Sequence, residues 1–145
     1  MLFAVLSASL GLGLSQSAPS PRAGRPAVEA GVCEQEAKKS AGAMPVRVGK
    51  SVPQPKRIHY VPPKYPALPP GTSLSPGVWM GEFLIGADGK VVQVWPIREF
   101  RFMPPFPRFN QVIVDSIKNS LYEPLKIDGR PVPVCVTVSV NINWS

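Results

Sequence analysis

Residues Val132 to Trp144 alternate without interruption. Val132, Val134, Val136, Val138, Val140, Ile142 and Trp144 share one parity; Pro133, Cys135, Thr137, Ser139, Asn141 and Asn143 share the other. Successive side chains of a strand point to opposite faces, so the pattern predicts one long β-strand with a single buried face. A second strand pattern spans Val78–Ile85, with Trp79, Gly81, Phe83 and Ile85 on one face. Gly81 leaves room there for a tryptophan ring. Gly86-Ala87-Asp88-Gly89 supplies residues that tolerate positive φ, and a strand over Lys90–Trp95 follows, ending at Pro96. This reads as an antiparallel hairpin. Phe109, Val112, Ile113, Ile117 and Leu121 recur at helical spacing, with Asn110, Gln111, Asp115, Lys118 and Asn119 on the polar side. Pro124 stops that helix, and Asp128-Gly129 turns the chain into the long strand.

The resulting order, β-β-α-β, predicts a small α+β domain. A helix crossing back after the second strand leaves the third strand free to pair antiparallel with the first. The expected sheet is three-stranded and antiparallel, in order 2-1-3, with the helix on one face and the long strand at an edge. An edge strand offers unpaired N–H and C=O groups to another chain. Pairing with an extended segment of another protein and pairing with a second copy, as a homodimer, both follow from such an edge.

Composition changes the picture for the N-terminal part. Twelve of the nineteen prolines fall between Pro19 and Pro76. Proline lacks an amide donor and fixes φ, so residues 19–60 are expected to be a disordered linker, with the domain over 61–145. Val32–Lys39 has helical character but is too short to stand alone. The net charge of +7 is uneven: residues 1–57 carry eight Lys/Arg against three Glu, leaving little excess on the domain. A solvated linker and a tail for anionic headgroups or wall polymers both fit that excess. Nucleic-acid binding needs a basic face on the folded part, which is not seen, so no nucleic-acid partner is expected. Met1–Leu14 is an apolar run followed by small residues, with a cleavage position near Ser17 or Ala18. Residues 1–18 read as a signal peptide or a short membrane anchor, and the protein as periplasmic or secreted, with inner-membrane anchoring as the competing reading.

Chemistry is sparse. His59 stands alone and the two cysteines are far apart in sequence, so neither a metal site nor a cofactor is expected, and no enzyme is indicated. Glu82 and Glu99, or Asp115 and Glu123, read as solvated surface charges rather than paired catalytic carboxylates. Trp79 and Trp95 read as packing residues. Export would permit a disulfide between Cys33 and Cys135, although two free thiols are the simpler expectation for a chain with only two cysteines.

An ordered set of short motifs adds a resemblance. Tyr65-Pro66, Gly77 opening a strand, Ile85 with Asp88-Gly89-Lys90-Val91, Leu121-Tyr122-Glu123-Pro124, and Asp128-Gly129-Arg130-Pro131-Val132-Pro133-Val134 before a terminal strand together resemble the TonB C-terminal domain family over Pro62–Trp144. The resemblance implies a periplasmic α+β domain that links an inner-membrane motor complex to outer-membrane receptors. It implies that the last strand pairs with a short receptor peptide. The matching positions are Val134, Cys135, Val136, Thr137, Val138, Ser139, Val140 and Asn141, with Tyr65 and Pro66 as a weaker motif. Main-chain pairing of this kind is β-augmentation. One of Thr137 and Ser139 is expected to direct its amide outward. The alternative is an exported envelope structural protein with the same fold and no transducer role.

Overall fold

The computed structural model describes residues 31–41 and 44–142. The signal-like segment 1–18 and Trp144 therefore lie outside the described residues. In chain order the elements are α1 (Val32–Ala41), β1 (Val46–Arg47), β2 (Arg57–His59), β3 (Ser73–Leu74), β4 (Trp79–Ile85), β5 (Val91–Arg98), β6 (Phe102–Met103), α2 (Pro107–Asn119), β7 (Leu121–Tyr122), β8 (Lys126–Ile127), β9 (Arg130–Pro131) and β10 (Val134–Val140).

The expected three-stranded antiparallel sheet with one helix is not what forms. The main sheet is four-stranded and mixed, in order β1-β10-β4-β5, and three two-stranded sheets surround it. β10 and β5 both pair antiparallel with β4, whereas β1 pairs parallel with β10 at Val46–Val134 and Arg47–Cys135. The extra strand and the extra helix α1 come from residues 31–60, the stretch expected to be a disordered linker. Proline density was the basis of that expectation. Pro45 and Pro53, however, flank β1 rather than interrupt it, and α1 contains no proline at all.

The two helices lie on opposite faces of the sheet, because β10 buries both parities where each helix packs. Val134 and Val136 join Phe83, Ile85 and Val94 in the larger core, which α2 closes with Phe109 and Ile113. Cys135 and Leu84 face the other way and pack with Cys33 and Ala37 of α1, Trp95 lying against them. A ten-residue helix is marginal alone. Here the Cys33–Cys135 disulfide holds it to the sheet, with Cα atoms 5.9 Å apart. The expectation of two free thiols is therefore replaced by a bridge.

Local features follow the residues. Pro107 opens α2, where its missing N–H has no helical partner to lose. Asn110, expected on the solvent side, is buried, and its side-chain amide joins the N–H and C=O of Phe100 at 3.0 and 2.9 Å. Leu121, expected to continue the helical stripe, lies in β7 instead. Gly81 does accommodate a tryptophan: a Cβ there would stand 2.5 Å from the Trp79 ring. β5 does not end before Pro96 but runs through it to Arg98. Pro96 stands opposite Gly81 in the register. At that position the nitrogen faces away from β4, so the missing donor costs no ladder bond. β10 begins at Val134 rather than Val132, because the Val132 amide bonds to the Leu125 carbonyl at 2.9 Å.

Candidate functional site: the outer edge of the last strand

The direction of each main-chain group along β10 follows from two hydrogen bonds. The Val46 amide donates to the Pro133 carbonyl at 3.0 Å, and the Val48 amide donates to the Cys135 carbonyl at 3.1 Å. Odd-numbered residues of β10 therefore turn their N–H and C=O outward, away from β4. Main-chain direction repeats every two residues, so Thr137 and Ser139 both face outward, while Val136, Val138 and Val140 bond to β4. The expectation that only one of Thr137 and Ser139 faces outward fails for that reason: they share a parity.

β1 covers this edge at Val134 and Cys135 only. After Val48 the chain turns away, with the Gly49 amide bonding to the Val52 carbonyl at 2.9 Å. Among the described residues, no strand pairs with the outer side of Thr137 or Ser139. Both residues are exposed, as is Asn141 just past the strand; Val138 and Val140 are half-buried on the α2 side. The edge positions inferred from the sequence thus divide into a covered pair, Val134 and Cys135, and an open run from Thr137 onward. Val136 is buried between them.

A clamp fixes β1 in place. The Arg47 guanidinium forms a two-pronged ion pair with Glu34 of α1, and its Nη2 lies 3.0 Å from Glu82 Oε1 on β4. Its Nη1 donates to Thr137 Oγ1 at 2.7 Å. Glu82 Oε2 in turn accepts the Cys33 amide at 2.8 Å, satisfying a donor in the first turn of α1. A Cβ on Gly31 would overlap the ends of the Arg47 and Glu82 side chains, so a larger residue there would push the clamp groups aside. The Arg47 hydrogen bonds hold the Glu34 carboxyl below its ordinary range, and Glu34 raises Arg47. Glu82, expected on the surface, is buried; Glu99 is exposed and apart from this cluster.

On the α2 side of the open edge lies a cleft of about 230 Å³. Thr137, Val138 and Ser139 form one wall; Ser116 and Ser120 of the α2 end, with Tyr122, Arg57 and Tyr60, form much of the rest. β2 pairs with β7 at Arg57–Tyr122, which brings the arginine to the cleft. Its guanidinium sits 3.9 Å above the Tyr60 ring centroid. Burial pushes the Tyr122 hydroxyl up, and Arg57, bonded to it, pulls the other way.

Tyr65 and Pro66 are not part of this cleft. Tyr65 stacks on Phe109 at 4.7 Å, and thereby secures the proline-rich segment to α2. His59 is exposed in β2. Asp115 bonds to Gln111 and Glu123 pairs with Lys56, so the two carboxylates do not form a pair with each other. Among the described residues no cluster of three or more His, Cys, Asp or Glu stands close enough to hold a metal ion, and no helix is long and apolar enough to cross a membrane. Sequence reasoning missed Arg47, Glu34, Arg57 and Tyr60. The Val46-Arg47-Val48 alternation was the one available signal, and it is too short to distinguish from linker. Compared with family models, with curated proteins and with solved structures, the chain matches none.

Proposed function

We propose that this protein is a periplasmic interaction domain that takes an extended partner segment by strand addition at the open edge of β10. The partner envisaged is a peptide of an outer-membrane receptor, as the resemblance to TonB C-terminal domains implies, in a role in envelope transport. One observation carries the reading. The outer main-chain groups of Thr137 and Ser139 form a straight, proline-free edge in line with β1, and among the described residues no strand lies beside them. An added strand would continue the line that β1 begins. Its main-chain bonds would give affinity, and its alternate side chains would meet the cleft beside Val138.

The test compares two prolines. Ser139→Pro removes an outward amide and should abolish binding of receptor-derived peptides, measured by fluorescence anisotropy, while circular dichroism stays native. Val138→Pro removes an inward amide and should destabilise the domain by about 3 kcal/mol or more. Native-level peptide binding by a folded Ser139→Pro protein would refute the mechanism. Sedimentation of the free protein shows whether a second copy uses the same edge.

A further inference from the structure

The dipeptide Asp-Gly occurs twice in the chain, at Asp88-Gly89 and at Asp128-Gly129. Both pairs have the parts for one reaction. The glycine nitrogen can attack the Cγ of the aspartic acid before it and close a five-membered ring. Glycine suits this step because no Cβ hinders the approach. The two pairs differ in whether those groups are free. At the first pair they are held. The Gly89 amide donates to the Gly86 carbonyl at 2.9 Å, and Asp88 Oδ1 accepts the Lys90 amide at 3.0 Å. The Gly89 carbonyl accepts the Tyr122 amide at 3.0 Å. Gly89 is buried, and a Cβ there would overlap the Tyr122 carbonyl. This loop joins β4 and β5, strands of seven and eight residues in the main sheet.

At the second pair nothing holds them. Asp128 and Gly129, at φ 51° and 76°, form the two-residue turn between β8 and β9. Both are exposed, and a Cβ on Gly129 would meet no atom within 4 Å. Among the described residues no group bonds to the Asp128 carboxyl or to the Gly129 amide. β8 and β9 pair at two positions only, and at one of them Pro131 brings no N–H. A two-stranded hairpin is marginal by itself and opens at little cost. Opening also frees Asp128 from the left-handed region, which L-residues occupy unfavourably. We infer that Asp128 is a modification site, where the side chain condenses with the Gly129 nitrogen to a succinimide and reopens as isoaspartate, while Asp88 stays intact. In the first step the N–Cγ bond forms and the Cγ–OH bond breaks; the hydroxyl leaves as water with the amide proton. Water then adds to one of the two ring carbonyls. Addition at Cγ restores aspartate. Addition at the main-chain carbonyl breaks its bond to the Gly129 nitrogen, and the chain then runs through Cβ and Cγ. One water is lost and one gained, so composition and mass are unchanged while the main chain gains a methylene. The change stays within the hairpin. The Val132 amide bonds to the Leu125 carbonyl behind it, and β10 pairs with β4 only from Val134 onward. This inference is independent of the strand-addition reading.

The experiment incubates the full-length, disulfide-bonded protein for weeks at body temperature, beside the same protein unfolded in urea. Trypsin then releases Asp88 and Asp128 in separate peptides. Isoaspartate splits a peptide into two chromatographic peaks of equal mass, and electron-transfer fragmentation assigns the residue. In the folded protein Asp128 should convert at least about tenfold faster than Asp88, the ratio expected when one site opens locally and the other only with the sheet. In urea that difference should collapse, since the two dipeptides are the same. Asp128→Asn keeps a residue suited to this turn and reaches the same ring by losing ammonia. It should convert faster than Asp128, with a gain in mass, while circular dichroism stays native. Equal conversion of Asp88 and Asp128 in the folded protein overturns the inference. So does an Asp128 that stays intact when folded but converts in urea, or a folded Asp128→Asn protein that keeps its amide.

Discussion

The two edges of the main sheet are built differently. The β5 edge has an extra residue at each end of its pairing, Val92 and Ile97, and Pro96 beside the second. Extra residues of this kind twist a strand away from partners, and a proline on the outer side removes a donor. Both bulged residues are more than half exposed, at 57% and 52%, yet the irregular backbone denies a neighbour a regular ladder. The β10 edge has neither device in its open part. It is straight from Val134 to Val140, and its protection is a two-residue parallel strand held by Arg47 and a helix held by a disulfide. One edge is closed by its own sequence; the other is covered in part by a two-residue strand from a distant part of the chain. The difference is what makes β10, and not β5, the place to look for a partner strand.

The strongest way to break this contrast is reduction. The Cys33–Cys135 bridge closes a loop of 102 residues and holds α1 to β10. Reducing it, or replacing both cysteines with serine, should cost about 2–5 kcal/mol in urea unfolding. Hydrogen exchange should speed up at Val46–Val48 and on β10 before it does on Val92–Val94. Uniform acceleration at both edges would show that the bridge supports the whole domain rather than the β10 side.

Acid should act on the same side more gently. Glu34 titrates below its ordinary value of 4.5 because Arg47 bonds to its charged form. A carboxyl with a lowered folded-state value contributes stability that is complete above the unfolded value and is lost as pH falls through the folded one. The clamp should therefore be intact at neutral pH and loosen below pH 4.5. Glu34→Gln should cost about 1.5–3 kcal/mol at pH 7 and flatten the stability profile in acid. A native-like acid profile in that variant would mean that other carboxyls carry the dependence.

The smallest expected change in stability sharpens the comparison from the other edge. Pro96→Val restores an outward donor to β5 and should shift unfolding by no more than about 0.5 kcal/mol. Its effect should appear instead as concentration-dependent self-association in light scattering, since an added amide improves the template for a neighbouring strand. A strictly monomeric Pro96→Val protein would assign the blocking of that edge to the bulges at Val92 and Ile97 alone.

Periodicity determined the elements with long, regular patterns. The alternation of Val134 to Val140, the hairpin strands around Gly86–Gly89 and the apolar stripe of Phe109, Ile113 and Ile117 are properties of side-chain spacing, which local geometry translates directly into strand or helix. The room that Gly81 leaves for Trp79 was legible on the same grounds. What only the tertiary structure decided lies in residues 31–60 and in the site they complete. α1 is too short to persist without the disulfide and its burial against Leu84, and β1 has only two residues of pattern. Their stability comes from contacts 35 to 102 residues away in sequence, Arg47 to Glu82 and Cys33 to Cys135. No local period records contacts of that range. For the same reason the sequence predicted an edge strand and its alternating faces, while the folded chain determined which part of that edge β1 covers and that Arg57 stands beside what remains open.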